Sequence, residues 1–101
     1  MSEYSSKLES EHMNFLFEGI LSLKTKEECY RFFEDISTIN EIKAFEQRLQ
    51  VAKMLVDKKT YLDIAAATGA STATISRINR ALNYGSDGYK LILERLESKD
   101  K

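Results

Sequence analysis

The sequence predicts an all-α fold, and three observations carry that expectation. Its 101 residues include no proline and only four glycines, the two residues that most readily break helices. Apolar side chains recur every three or four positions, about one helical turn, with no strand-like alternation. Ser or Thr repeatedly stands just ahead of such a run, where a helix start needs an acceptor for its unpaired N–H groups. The length suits a single domain, 1–101, with one modest core. Within it we expect a helical segment over 8–57, two short helices over 60–84 and a last helix over 86–97.

Residues 1–7 are polar and expected to fray. A first helix is predicted from Leu8 to Leu23, with a stripe of Met13, Leu16, Phe17 and Ile20. Phe15 and Leu21 fall off that stripe, so the helix is apolar on more than one side and needs more than one neighbour. In so small a domain, the second neighbour is expected to be another copy of the chain, which makes a homodimer. The competing explanation is that later helices wrap it. Thr25 and Glu28 form a capping box for a second helix, Lys26 to Ile36, whose inner face is Cys29, Phe32, Phe33 and Ile36. Thr38 with Glu41 starts a long third helix, Ile39 to Asp57. Its stripe is Ile42, Phe45, Leu49, Ala52 and Val56, with Leu55 beside it. Lys58 and Lys59 follow as a link.

The stretch Thr60 to Tyr84 organises the rest. Thr60, with Asp63 three residues on, starts a short helix in which Ile64 and the small Ala65 face inward. Gly69 comes four residues later, where the chain must turn through positive φ without a Cβ to clash. Ser71 caps the next helix, whose inward residues are Ile75 and Ile78. Its other side carries Thr72, Ala73, Ser76, Arg77 and Arg80. These spacings predict a helix-turn-helix that can offer that side to DNA, although a plain helical hairpin with Gly69 as its cap has the same spacings. Asn83, Tyr84 and Gly85 close this helix, and Ser86 starts a sixth through Tyr89, Ile92, Leu93 and Leu96.

Charge placement agrees with a DNA-binding reading. The net charge is −1, yet residues 1–46 carry five Lys or Arg against ten Asp or Glu. Residues 47–84 carry six against two, and residues 85–101 carry four of each. The basic block coincides with the helix-turn-helix, as phosphate binding requires, and the acidic half is expected to face away. Cys29 is the single cysteine and stands among Tyr30, Phe32 and Phe33, so we expect a small core residue rather than a nucleophile. His12 is the lone histidine, on an amphipathic helix, which leaves no ligand set for a metal. The carboxylates show no paired-acid spacing, and no enzyme is expected. Neither a signal pattern nor an apolar run of about 20 residues occurs, so the expectation is a soluble, cytoplasmic protein without a membrane partner.

The chain resembles the tryptophan repressor family and its relatives in Gram-positive bacteria. The likeness covers most of the chain in helix count and order. It is sharpest over Gly69-Ala70-Ser71-Thr72-Ala73-Thr74-Ile75-Ser76-Arg77 and at Arg48. The resemblance implies a six-helix fold, an intertwined homodimer and two recognition helices on symmetric half-sites of double-stranded DNA. DNA contacts then fall to Ser71, Thr72, Ala73, Thr74, Ser76, Arg77 and Arg80. Thr72, Ala73 and Thr74 are the base-proximal positions, with Ser76 nearby, and Arg77 and Arg80 suit phosphates. The family's repressor holds tryptophan between two arginines, which Arg48, across a one-residue gap, and Arg77 resemble. Where that repressor has glycine after the second arginine, this chain has Ile78. Ile78 would take the space of the indole ring, so no tryptophan cofactor is expected and any small-molecule effector is of another kind. The function expected is a transcriptional regulator, a repressor acting by occupancy. The alternative is a helical module that holds a protein or RNA partner on the same fold.

Overall fold

The computed structural model describes residues 4–99, and among these there are six helices and no strand. They are α1 (Glu11–Leu21), α2 (Lys26–Ile36), α3 (Ile39–Val56), α4 (Tyr61–Thr68), α5 (Thr72–Tyr84) and α6 (Gly88–Lys99). Part of the segment expected to fray, residues 1–3, lies outside the described residues.

Number and order are as the spacing predicts, and the differences are at helix ends. α1 begins at Glu11 instead of Leu8 because Ser10 is its N-cap, accepting the Met13 N–H at 3.0 Å. Upstream, the Ser6 hydroxyl oxygen accepts the Leu8 N–H at 3.0 Å, which holds that stretch in a turn. α1 also stops at Leu21, before the expected Leu23, and the Ser22 hydroxyl donates to the Gly19 carbonyl at 2.6 Å. α6 begins at Gly88, two residues after Ser86, because Asp87 takes a φ of 66° that no right-handed helix accepts.

The chain divides into two compact units, one reaching Ile39 and one running from Asn40 onward, so the boundary falls at the start of α3. In the first unit the Thr25 cap forms, with Glu28 N–H donating to Thr25 Oγ1 at 3.1 Å. The Glu28 carboxylate accepts the Lys24 N–H at 2.8 Å, one residue earlier than a strict capping box. No residue of α1 or α2 is buried. Phe32 and Phe33 meet edge to face at 5.1 Å, while Phe15 stays 76% and Leu21 83% exposed. Cys29 is exposed, not a core residue as expected, because nothing within this unit covers its side of α2.

The second unit holds the core: Val51, Ala52, Ile64, Ala70, Ile75, Ile78 and Leu82. Met54, Leu55, Tyr61, Ala65, Tyr89 and Leu93 pack on its margin. The buried part of α3 is thus Val51–Ala52, and Val51 lies off the stripe drawn from the sequence. Phe45 and Val56, both on that stripe, remain exposed. The helix ends in a Schellman motif, with Lys59 N–H donating to Met54 O and Lys58 N–H to Leu55 O, each at 3.0 Å. Lys58 takes the left-handed position of that motif, at φ 66°.

Candidate nucleic-acid interface

The interface is built around one corner. Thr60 Oγ1 accepts the Asp63 N–H at 3.1 Å and starts α4. The helix ends at Gly69, whose φ of 75° turns the chain and whose N–H donates to Ala65 O at 2.9 Å. Thr68 fastens the turn from both sides, donating to Ile64 O at 2.8 Å and accepting the Ala70 N–H at 3.2 Å. From α3, the Gln47 side-chain amide donates to the Thr68 carbonyl at 3.1 Å. Sequence reasoning missed both Gln47 and Thr68, since neither belongs to a cap or an apolar stripe.

Ser71 then starts α5, its Oγ accepting the Thr74 N–H and donating to Thr74 Oγ1, both at 3.1 Å. Ile75, Ile78 and Leu82 fill one side of α5 against Ile64, Ala70 and the Val51–Ala52 step of α3. At about 100° per residue, their burial fixes the opposite side as Ala73, Arg77, Arg80 and Tyr84, flanked by Thr72 and Ser76. All six are exposed, whereas Thr74 is half-buried. Ser71 is exposed beside them. Among the described residues, Arg77 and Arg80 enter no ion pair or hydrogen bond. Of the side chains chosen from the sequence, all but Thr74 are exposed, and the two guanidinium groups among them are uncommitted.

Arg48 belongs to α3 and is exposed, with its guanidinium carbon 5.7 Å from the centre of the Phe45 ring. Ile78 is only 4% exposed and belongs to the core, as the helix-turn-helix spacing predicts for that position. An open groove of about 490 Å³ runs beside the exposed stripe, lined by Tyr61 of α4 and by Ser76, Asn79, Arg80, Asn83 and Tyr84 of α5. Tyr61 and Tyr84 were not picked out from the sequence as site residues. No three His, Cys, Asp or Glu side chains gather to hold a metal among the described residues. None of the described helices is long and apolar enough to cross a membrane.

Known proteins share this fold. Residues 11–97 match the model of the family described as Trp repressor protein. The uncharacterized protein YerC of Bacillus subtilis (strain 168) is 56% identical over 91 residues, covering 90% of this chain and 88% of that protein. The crystal structure of a TrpR-like protein from Eubacterium eligens ATCC 27750 superposes with a TM-score of 0.87 at 60% identity, over 90% of this chain and 94% of that one. A candidate Trp repressor from Staphylococcus aureus superposes with a TM-score of 0.86 at 50% identity, over 90% and 91% of the two chains. From the six-helix order, the Gly69 corner and these matches, the chain belongs to the Trp repressor family, whose fold is a regulatory DNA-binding one.

Proposed function

We propose that the protein is a dimeric, sequence-specific DNA-binding transcriptional regulator, a repressor that acts by occupying its site. The observation that carries this reading is the division of α5 into an apolar inner side and an uncommitted outer side with two free arginines. An outer helix side that only met solvent would have no reason to be low in acidic residues, and α5 carries none. Thr72, Ala73, Thr74 and Ser76 meet base edges, Ser71 sits at the helix start beside them, and Arg77 and Arg80 hold phosphates. The short uncharged side chains offer no bidentate base pairing, so water, methyl contacts and DNA shape share in the reading.

The dimer is supported by the first unit, which leaves Phe15 and Leu21 largely exposed and buries nothing by itself. A second copy covers such faces by symmetry and sets two recognition helices on two half-sites about one turn of DNA apart. No tryptophan cofactor is part of this reading, since Ile78 stands where the family's repressor has the glycine that leaves room for the indole. Arg48 and Arg77 then lack the effector role that the family's repressor gives to its two arginines.

Gel shifts with random and genomic duplexes across a salt series test the reading. Steep salt dependence with a preferred palindromic site is the expected result. Absence of binding even at low salt would instead favour a helical module for a protein or RNA partner.

A further inference from the structure

We propose that the groove between Tyr61 and Tyr84 is a slot for one sugar-phosphate unit of the DNA backbone, with Arg80 on the phosphate and the two tyrosines flanking it. This rests on the DNA-binding reading above and extends it to Tyr61 and Tyr84, at the far end of the groove from the base-reading Ser76. The lining carries one cation, Arg80, and no carboxylate, so its charge selects an anion. The groove's volume of about 490 Å³ exceeds what a bare phosphate needs. It falls in the range of roughly 300–1,000 Å³ in which small organic groups are held, which leaves room for the sugar.

The polar groups fit that occupant. The hydroxyls of Tyr61 and Tyr84 have no hydrogen-bond partner among the described residues. Tyr84 is 85% exposed, so its ring and hydroxyl are open to a ligand. Asn83 is held in place, its Nδ2 donating to Asn79 O at 2.9 Å and to Asn79 Oδ1 at 3.3 Å.

Distance along the helix decides between backbone and bases. From Thr72 to Arg80 is eight residues, about 12 Å at 1.5 Å per residue, and to Tyr84 about 18 Å. The major groove is about 8.5 Å deep. With the start of α5 at the base edges, Arg80 and Tyr84 stand beyond that depth, out of reach of the bases and on the sugar-phosphate side of the groove. The slot therefore adds affinity on every sequence and specificity on none.

The test uses the full chain, a 30-base-pair duplex of random sequence and a gel-shift salt series. Tyr84→Phe and Tyr61→Phe remove one hydroxyl each, and Tyr84→Ala removes an exposed ring that the core does not use. Each hydroxyl removal is expected to weaken binding about three- to tenfold, equally on unrelated sequences and with an unchanged salt slope, because no cation is lost. Inorganic phosphate at matched ionic strength is expected not to compete, since it lacks the sugar. If all three tyrosine variants bind like the parent while Arg77→Ala weakens binding, the slot is wrong and the DNA-binding reading stands. A change in preferred sequence, or competition by free phosphate, would likewise overturn the slot. Failure of the parent protein to bind any duplex would remove the reading beneath it.

Discussion

The side-chain amide of Gln47 donates to the backbone carbonyl of Thr68, 3.1 Å away and twenty-one residues later. This bond fastens the helix-turn-helix corner to α3. The Thr68 carbonyl lies at the C-terminus of α4, among the carbonyls that a helix leaves without partners. Replacing Gln47 by Ala should cost about 1 kcal/mol in denaturant unfolding. Gln47→Glu should cost more, since a carboxylate would face a carbonyl oxygen with no proton between them.

Two glycines should fail for different reasons. At Gly69 a Cβ would meet open space, and only the φ of 75° penalises a side chain. Gly69→Ala should therefore cost about 1–2 kcal/mol, the ordinary left-handed penalty. At Gly85 φ is −90°, but a Cβ would press on the Ala81 carbonyl, backbone that cannot swing aside. Gly85→Ala should cost more than Gly69→Ala, near the upper end of the roughly 1–3 kcal/mol typical of overpacking. Melting curves of the two variants, taken side by side, check the order.

Arg80 and Thr72 should separate under DNA binding. Arg80→Ala is expected to weaken binding on all sequences and lower the salt slope by about 0.9, one released counterion. Thr72→Ala, or Thr74→Ala, should change which site is preferred while leaving that slope alone. Similar behaviour from both kinds of variant would contradict the assignment. Thr74 carries an added cost, because its hydroxyl accepts from Ser71 at the helix start.

Phe15 and Leu21 offer a test of assembly. Phe15→Glu together with Leu21→Glu should shift the protein from dimer to monomer in sedimentation at micromolar concentration. Neither side chain is buried within the single chain, so a monomer of unchanged stability is the expected product and an unchanged sedimentation coefficient would count against the proposed dimer face.

The proposed exclusion of tryptophan by Ile78 can be tested directly. Calorimetry with L-tryptophan is expected to show no saturable binding to the unaltered protein. Micromolar binding that also tightened DNA binding would refute the reading of Ile78. Ile78→Ala should destabilise the fold by about 2–5 kcal/mol, as a fully packed aliphatic does.

Much of this architecture was legible because it is local. The caps at Thr25, Thr60 and Ser71 each involve an N–H three residues away, and all three form as the spacing predicts. Gly69 announced itself, since few residues accept its φ. Ends set by competing local bonds were not legible: Ser10 takes the start of α1 from Leu8, and the positive φ of Asp87 delays α6. Nor was the inner side of α3, because Val51 is chosen by where α4 and α5 lie rather than by its own helix. Tyr61 and Tyr84 stand twenty-three residues apart and share a groove only once the corner has folded. Cys29 was misjudged for a related reason, as neighbours rich in aromatic residues do not bury a side chain without something to pack on.

α5 supplies Ile75, Ile78 and Leu82 to a seven-residue core and still leaves its opposite side unoccupied. Under the proposed function, holding the unit together and choosing an operator fall to different letters of the same thirteen-residue word. Relatives could acquire new target sites by rewriting Thr72, Ala73 and Ser76 without renegotiating their fold. A designer could do the same, grafting a foreign outer stripe onto an untouched inner one.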